Sequence, residues 1–156
     1  HMLRDNNLTI ATAESCTGGY VAHMITSVPG SSNWFQGSVI AYANSVKINE
    51  LNVAEETIDK YGAVSEETVK EMAINVRKKM GTSIGVSTSG IAGPGGGTKE
   101  KPVGTIWIAY ADENKCVAKK LSLSKSRDLN IKYTGIGLLN LLRIQATEKT
   151  NHSIAQ

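Results

Sequence analysis

The sequence predicts an α/β protein, a three-layer α/β/α sandwich around a mixed, mostly parallel five-stranded sheet. Two observations carry this. Short apolar runs of strand length alternate with segments of helical period up to Thr88, which implies parallel pairing across helical connections. The last two strand-like runs are joined only by Asp112-Glu113-Asn114-Lys115, too short for a crossover, so they form an antiparallel hairpin. The resulting order is β-α-β-α-α-β-β-β-α.

Leu3 to Asn7 reads as the end of a helix. Leu8 to Ala13 is the first strand. Thr17 to Ser27 is a helix with Val21, Met24, Ile25 and Val28 on one side, stopped by Pro29-Gly30. Trp34-Phe35-Gln36-Gly37 links it to a second strand, Ser38 to Tyr42. Asn44 opens a helix over Ser45 to Leu51 that carries Lys47, and Val53 to Tyr61 is a short helical link. Ser65 is the N-cap of a helix ending near Met80. Glu66 and Glu67 stand in its first turn, Val69, Met72, Ala73 and Val76 form its stripe, and Arg77-Lys78-Lys79 occupy the end that favours cations. Ser83 to Thr88 is a buried central strand, followed by a glycine-rich loop through Pro102. Val103 to Ala111 and Cys116 to Leu123 complete the sheet. Arg127 to Thr147 closes the chain with Leu129, Ile136, Leu139 and Leu142 on its apolar face, Leu138 and Leu141 beside them, and the polar tail from Glu148 frays.

A chain of 156 residues is one domain by length, 1–156, large enough to bury a core without staples. His1-Met2 reads as a cloning remnant, and a start so close to the first strand raises the expectation of a longer parent protein. No apolar run is long enough to span a bilayer. The net charge of +3 is weakly basic, and the basic clusters do not interleave with the few aromatics, which argues against direct nucleic-acid binding. Cys16 and Cys116 make no disulfide framework and fit free thiols in a cytoplasmic setting. His23 and His152 belong to no metal-ligand pattern, so no metal is expected.

The chemistry concentrates at Ala13-Glu14-Ser15-Cys16-Thr17-Gly18-Gly19, where a strand turns into a helix. In open α/β sheets, ligands bind beyond the carboxyl ends of strands. Ser15 emerges there as a candidate nucleophile, while Ser15 or Thr17 equally fits an ordinary N-cap. Cys16 is a rival nucleophile, its thiol activated if a helix N-terminus lies beside it. No GxSxG elbow is present and histidine is scarce, so the base for Ser15 has to be sought elsewhere. Lys47 follows the second strand at the same sheet edge, and burial would free its amine to act; it also fits a solvated helix lysine. Tyr42 is placed to relay a proton or hold that lysine. Gly90 to Gly97 is rich in glycine but matches neither GxxxxGK[ST] nor GxGxxG with a following helix, which leaves a substrate or phosphate cradle, or a plain connection.

Four stretches together resemble the C-terminal domain of the competence/damage-inducible protein CinA: Ala13 to Gly19; Tyr42-Ala43-Asn44-Ser45-Val46-Lys47; Gly62-Ala63-Val64-Ser65; and Ser89-Gly90-Ile91-Ala92-Gly93-Pro94 with Lys101-Pro102-Val103-Gly104-Thr105. The resemblance covers about residue 8 to 145. Stand-alone members of that family are nicotinamide-nucleotide amidases. It therefore implies hydrolysis of nicotinamide mononucleotide to nicotinic acid mononucleotide and ammonia, with no cofactor. It implies Ser15 as nucleophile assisted by Lys47 and Tyr42, and substrate contacts from Cys16, Thr17, Gly18, Gly19, Ser89, Gly90, Gly93 and Arg127. The expected partners are a pyridine mononucleotide and further copies of the chain, with no membrane. Where family members carry Gly-Asp-Arg before the last helix, this chain reads Lys125-Ser126-Arg127. Competing expectations are a non-catalytic nucleotide-binding module of a larger protein and a DNA-recombination partner.

Overall fold

The computed structural model describes residues 1–154, with side chains as far as Thr150; His152 and the last two tail residues fall outside the side chains described. One sheet runs in the order β2-β1-β3-β4-β5, with β1 Ile10–Glu14, β2 Phe35–Ile40, β3 Ile84–Gly90, β4 Thr105–Ala111 and β5 Cys116–Ser122. β1 pairs in parallel with β2 and β3, whereas β3–β4 and β4–β5 are antiparallel. Only β4 is reversed, so the sheet is mixed with most strands pointing one way.

The helices are α1 (Met2–Asp5), α2 (Tyr20–Thr26), α3 (Asn44–Leu51), α4 (Glu55–Tyr61), α5 (Glu66–Met80) and α6 (Arg127–Ile154). α1, α2 and α6 cover one face, and α3, α4 and α5 the other. The alternation along β1 shows why. Ile10 packs with Val21, Ile25 and Leu138 on the first face, while Ala11 and Ala13 meet Leu51, Met72 and Val76 on the second. Small residues on the second face let α5 lie close. At Gly85 a Cβ would fall 2.1 Å from the Ala73 carbonyl oxygen, so no side chain fits.

α5 forms as predicted. The Ser65 hydroxyl accepts the Thr68 N–H at 3.2 Å, the stripe of Val69, Met72, Ala73 and Val76 is fully buried, and Gly81 ends the helix in the left-handed region. Other boundaries differ. α2 begins at Tyr20 rather than Thr17, because Gly18 and Gly19 carry the turn at φ +56° and +100°. Its predicted apolar side loses Val28, which is exposed. β2 takes in Phe35-Gln36-Gly37 and stops at Ile40, leaving Tyr42 beyond the strand.

The face of α6 also differs. Leu129 and Ile136 point outward, 37% and 45% exposed, and the buried side carries Asn130, Thr134, Leu138, Leu141, Leu142 and Ala146. The buried Asn130 amide sets this rotation: it donates to the Ala92 and Lys125 carbonyls and accepts the Lys125 N–H. The helix continues past Thr147 instead of fraying, because ion pairs of Lys115 with Glu148 and Lys149 with Glu113 fasten it to the 112–115 turn.

Candidate active site

The chain leaves β1 for β2 through α2 on one face and returns to β3, on the other side of β1, through α3–α5 on the opposite face. The carboxyl ends of β1, β2 and β3 therefore surround a point where the strand order reverses, the place where open α/β sheets hold ligands. Ser15 stands at that point, 8% exposed. Its N–H donates to the Thr88 carbonyl at 3.0 Å, and its own carbonyl accepts the Gly18 N–H at 3.0 Å. A tight turn thus follows β1 directly.

Neither Ser15 nor Thr17 caps α2. Glu14 does so across the turn: one carboxylate oxygen accepts the Val21 N–H and the other the Ala22 N–H, each at 2.9 Å. A negative charge at a helix start also suits the helix dipole. Thr17 turns its hydroxyl inward, donating to Glu14 at 2.7 Å.

α3 delivers Lys47, and this lysine is not a solvated one. It is 1% exposed, and its ammonium meets the Ser15 hydroxyl oxygen at 3.0 Å, the Ala41 carbonyl at 2.8 Å and the Tyr42 carbonyl at 3.2 Å. These three acceptors match its three protons. Burial lowers its pKa to about 8 by penalising the charged form, although the nearby Cys16 works the other way. The neutral amine, still able to give two protons to the two carbonyls, would turn its lone pair toward Ser15.

Cys16 does not have the environment of an activated thiol. It is buried, and desolvation pushes its pKa up to about 12 despite the opposing influence of Thr88 and Lys47. The expectation of a helix N-terminus beside it fails because α2 starts only at Tyr20.

Ser15, Cys16, Lys47, Ser89 and Gly90 line an open cavity of about 230 Å³, together with Tyr42, Asn44, Ala63, Val64, Ala92 and Arg127. The Tyr42 phenol does not lie between Lys47 and Ser15. It accepts a hydrogen bond from Arg127 at 3.0 Å, and Tyr42 reaches Lys47 only through its main-chain carbonyl. Arg127 also donates to the Gly93 carbonyl at 2.7 Å, so it is held without a neighbouring carboxylate, and the Ser126 hydroxyl goes to Asp128 instead. The glycine loop is anchored at Ala92 and Gly93 by α6, and Ile91 and Gly104 pair across its base. Gly93, Gly18 and Gly19 stand behind the lining rather than on it, the Thr17 side chain is turned away from it toward Glu14, and the Ser89 hydroxyl is committed to the Ala63 carbonyl. His23 is exposed on α2.

Sequence reasoning did not single out Glu14, Thr88 or Asn130. The first sits in the Glu-Ser-Cys-Thr motif, and a carboxylate seven and eight residues ahead of two helix-start N–H groups was the available signal. Nothing in the sequence marks Thr88 as reaching across to Thr17.

The fold and site define a class: an α/β domain with a buried serine–lysine pair at the carboxyl ends of its central strands. The chain belongs to the CinA family, its residues 1–145 matching the CinA C-terminal domain. A CinA-like protein of Cytophaga hutchinsonii is 63% identical over 147 residues, covering 94% of this chain and 35% of the relative, and one of Amoebophilus asiaticus is 57% identical over 142 residues, covering 91% and 34%. The chain thus spans about a third of the length of these curated relatives. Among solved structures, the competence/damage inducible protein CihA from Agrobacterium tumefaciens superposes with a TM-score of 0.90 at 33% identity, over 93% of this chain and 88% of the other. A CinA superfamily protein from Klebsiella pneumoniae 700603 gives 0.91 at 26% identity, over 94% and 92%. Among the described residues, no helix is long and apolar enough to cross a membrane, and no group of three or more His, Cys, Asp or Glu is placed to hold a metal ion.

Proposed function

We propose that this domain is an amidohydrolase that converts nicotinamide mononucleotide to nicotinic acid mononucleotide and ammonia through a Ser15 acyl-enzyme. The buried Lys47 amine 3.0 Å from the Ser15 hydroxyl carries the reading. Neutral Lys47 takes the Ser15 proton as Oγ attacks the carboxamide carbon. The Cys16 and Thr17 N–H groups bond to no other residue among the described residues and serve the oxyanion, a contribution of about 3–4 kcal/mol per donor. The Gly18 N–H is spent on the Ser15 carbonyl and does not take part. Lys47 returns its proton to the leaving nitrogen, the C–N bond breaks, and ammonia departs. Water, deprotonated by Lys47, then cleaves the ester and leaves the carboxylate product and a restored Ser15. Arg127 has donors beyond those used on Gly93 and Tyr42, and its planar fork suits the substrate phosphate. Copies of the chain assemble into a homo-oligomer in the cytoplasm.

Ammonia release from nicotinamide mononucleotide, measured beside binding of the same compound by calorimetry, tests this. Turnover by the wild type supports the amidase. Binding without ammonia would replace it with a non-catalytic nucleotide-binding module.

A further inference from the structure

Glu14 is fully buried and takes no part in the chemistry above. Its carboxylate accepts four hydrogen bonds, from the Thr17 hydroxyl, the Val21 and Ala22 N–H groups, and the Ser38 hydroxyl at 3.3 Å. Capping α2 needs only two of them. The Thr17 hydroxyl oxygen also lies 2.8 Å from that of Thr88, which is fully buried. The Thr88 oxygen in turn is 3.4 Å from the Ser15 nitrogen, beside the stronger bond from Ser15 N–H to the Thr88 carbonyl.

Proton counting gives this chain one direction. A carboxylate only accepts, and Thr17 has one hydroxyl proton, which goes to Glu14. The Thr17 oxygen then accepts the Thr88 proton, and the Thr88 oxygen is left to accept from Ser15 N–H and from the protonated Cys16 thiol beside it. The sequence Ser15 N–H to Thr88 to Thr17 to Glu14 ends on a buried acceptor, the arrangement in which hydrogen bonds reinforce one another. It grips the Cys16–Thr17 peptide from both sides, through Ser15 N–H before it and the Thr17 side chain after it.

We propose that Glu14 is a positioning residue that, through Thr17 and Thr88, fixes the main chain of Ser15 and the two N–H groups after it. The proposal rests on the reading of Ser15 as nucleophile. Its effect falls on reactivity rather than affinity, because none of Glu14, Thr17 and Thr88 lines the cavity.

Labelling by an alkyl fluorophosphonate tests it without relying on the physiological substrate. Ser15 Oγ bonds to phosphorus, fluoride leaves, and peptide mass mapping locates the adduct. In the wild type the label falls on Ser15, and Ser15→Ala takes none. Thr88→Val and Thr17→Val lower the saturating labelling rate about ten- to a hundredfold with the half-saturating probe concentration unchanged, as expected for a misplaced reacting group. The double variant is no slower than the slower single, because both break one chain. Thr17→Ser restores the rate. A wild type unlabelled at Ser15 overturns the nucleophile reading and the proposal with it. Wild-type rates in Thr88→Val and Thr17→Val, or a rate still depressed in Thr17→Ser, overturn the proposal alone.

Discussion

The Lys47 ammonium nitrogen lies 3.0 Å from the Ser15 hydroxyl oxygen, although the two residues are 32 positions apart in the chain, and the lysine has almost no water access. Two main-chain carbonyls hold the nitrogen from behind. A lysine so placed acts as a base once deprotonated, and desolvation brings that event down to about pH 8.

The first prediction is a pH profile. The amidase rate, as kcat/KM, rises with pH through a midpoint of about 8, and Lys47→Met removes the residual activity on that limb. Stability follows the same group. Its pKa is lower in the folded chain than the ordinary 10.5, so the unfolded state holds the proton more tightly. The penalty of a buried charge is therefore fully present below pH 8 and is relieved as pH rises toward 10.5. Urea unfolding from pH 7 to 10.5 is expected to show wild type gaining on the order of 1–3 kcal/mol relative to Lys47→Met.

Arg127 joins two walls of the cavity, the Gly93 carbonyl on the glycine loop and the Tyr42 phenol beyond β2. Arg127→Ala is expected to raise KM for the mononucleotide about tenfold, the cost of one charge-assisted contact. Arg127→Lys fails to restore it, because a lysine cannot span two acceptors with one planar group. Steady-state kinetics of the two variants check this, and a normal KM in Arg127→Lys would remove the bridging role.

Gly85→Ala tests the packing that places β3. The added methyl would meet the Ala73 carbonyl oxygen and the Arg77 Cβ at 2.1 and 2.8 Å, so α5 must move. A loss of about 3 kcal/mol is expected in urea unfolding, the upper range for overpacking.

Much of this was legible in the sequence, for particular reasons. α5 was readable end to end because its cap, stripe and cationic end are local signals in agreement. The antiparallel pairing of β4 with β5 was readable because a link as short as residues 112–115 leaves no room for a crossover. α6 was not readable in rotation, since a buried asparagine tied to a loop 38 residues earlier outranks two leucine-like positions in the apolar count. At the site, Ser15 and Lys47 were brought to one sheet edge by element order alone. The inward Thr17 and the displaced Tyr42 phenol depend on hydrogen bonds with Thr88 and Arg127, 71 and 85 residues away, which no local pattern encodes.

Ammonia release from nicotinamide mononucleotide by the wild type, Ser15→Ala, Lys47→Met and Cys16→Ala addresses the central claim most directly. Ser15→Ala and Lys47→Met are expected to lose about a thousandfold or more of kcat, the scale set by nucleophile and base together. Cys16→Ala is expected to keep turning over, since burial holds its thiol protonated. Near-normal turnover by Ser15→Ala, with activity lost only in Cys16→Ala, would contradict the account and make the thiol the nucleophile.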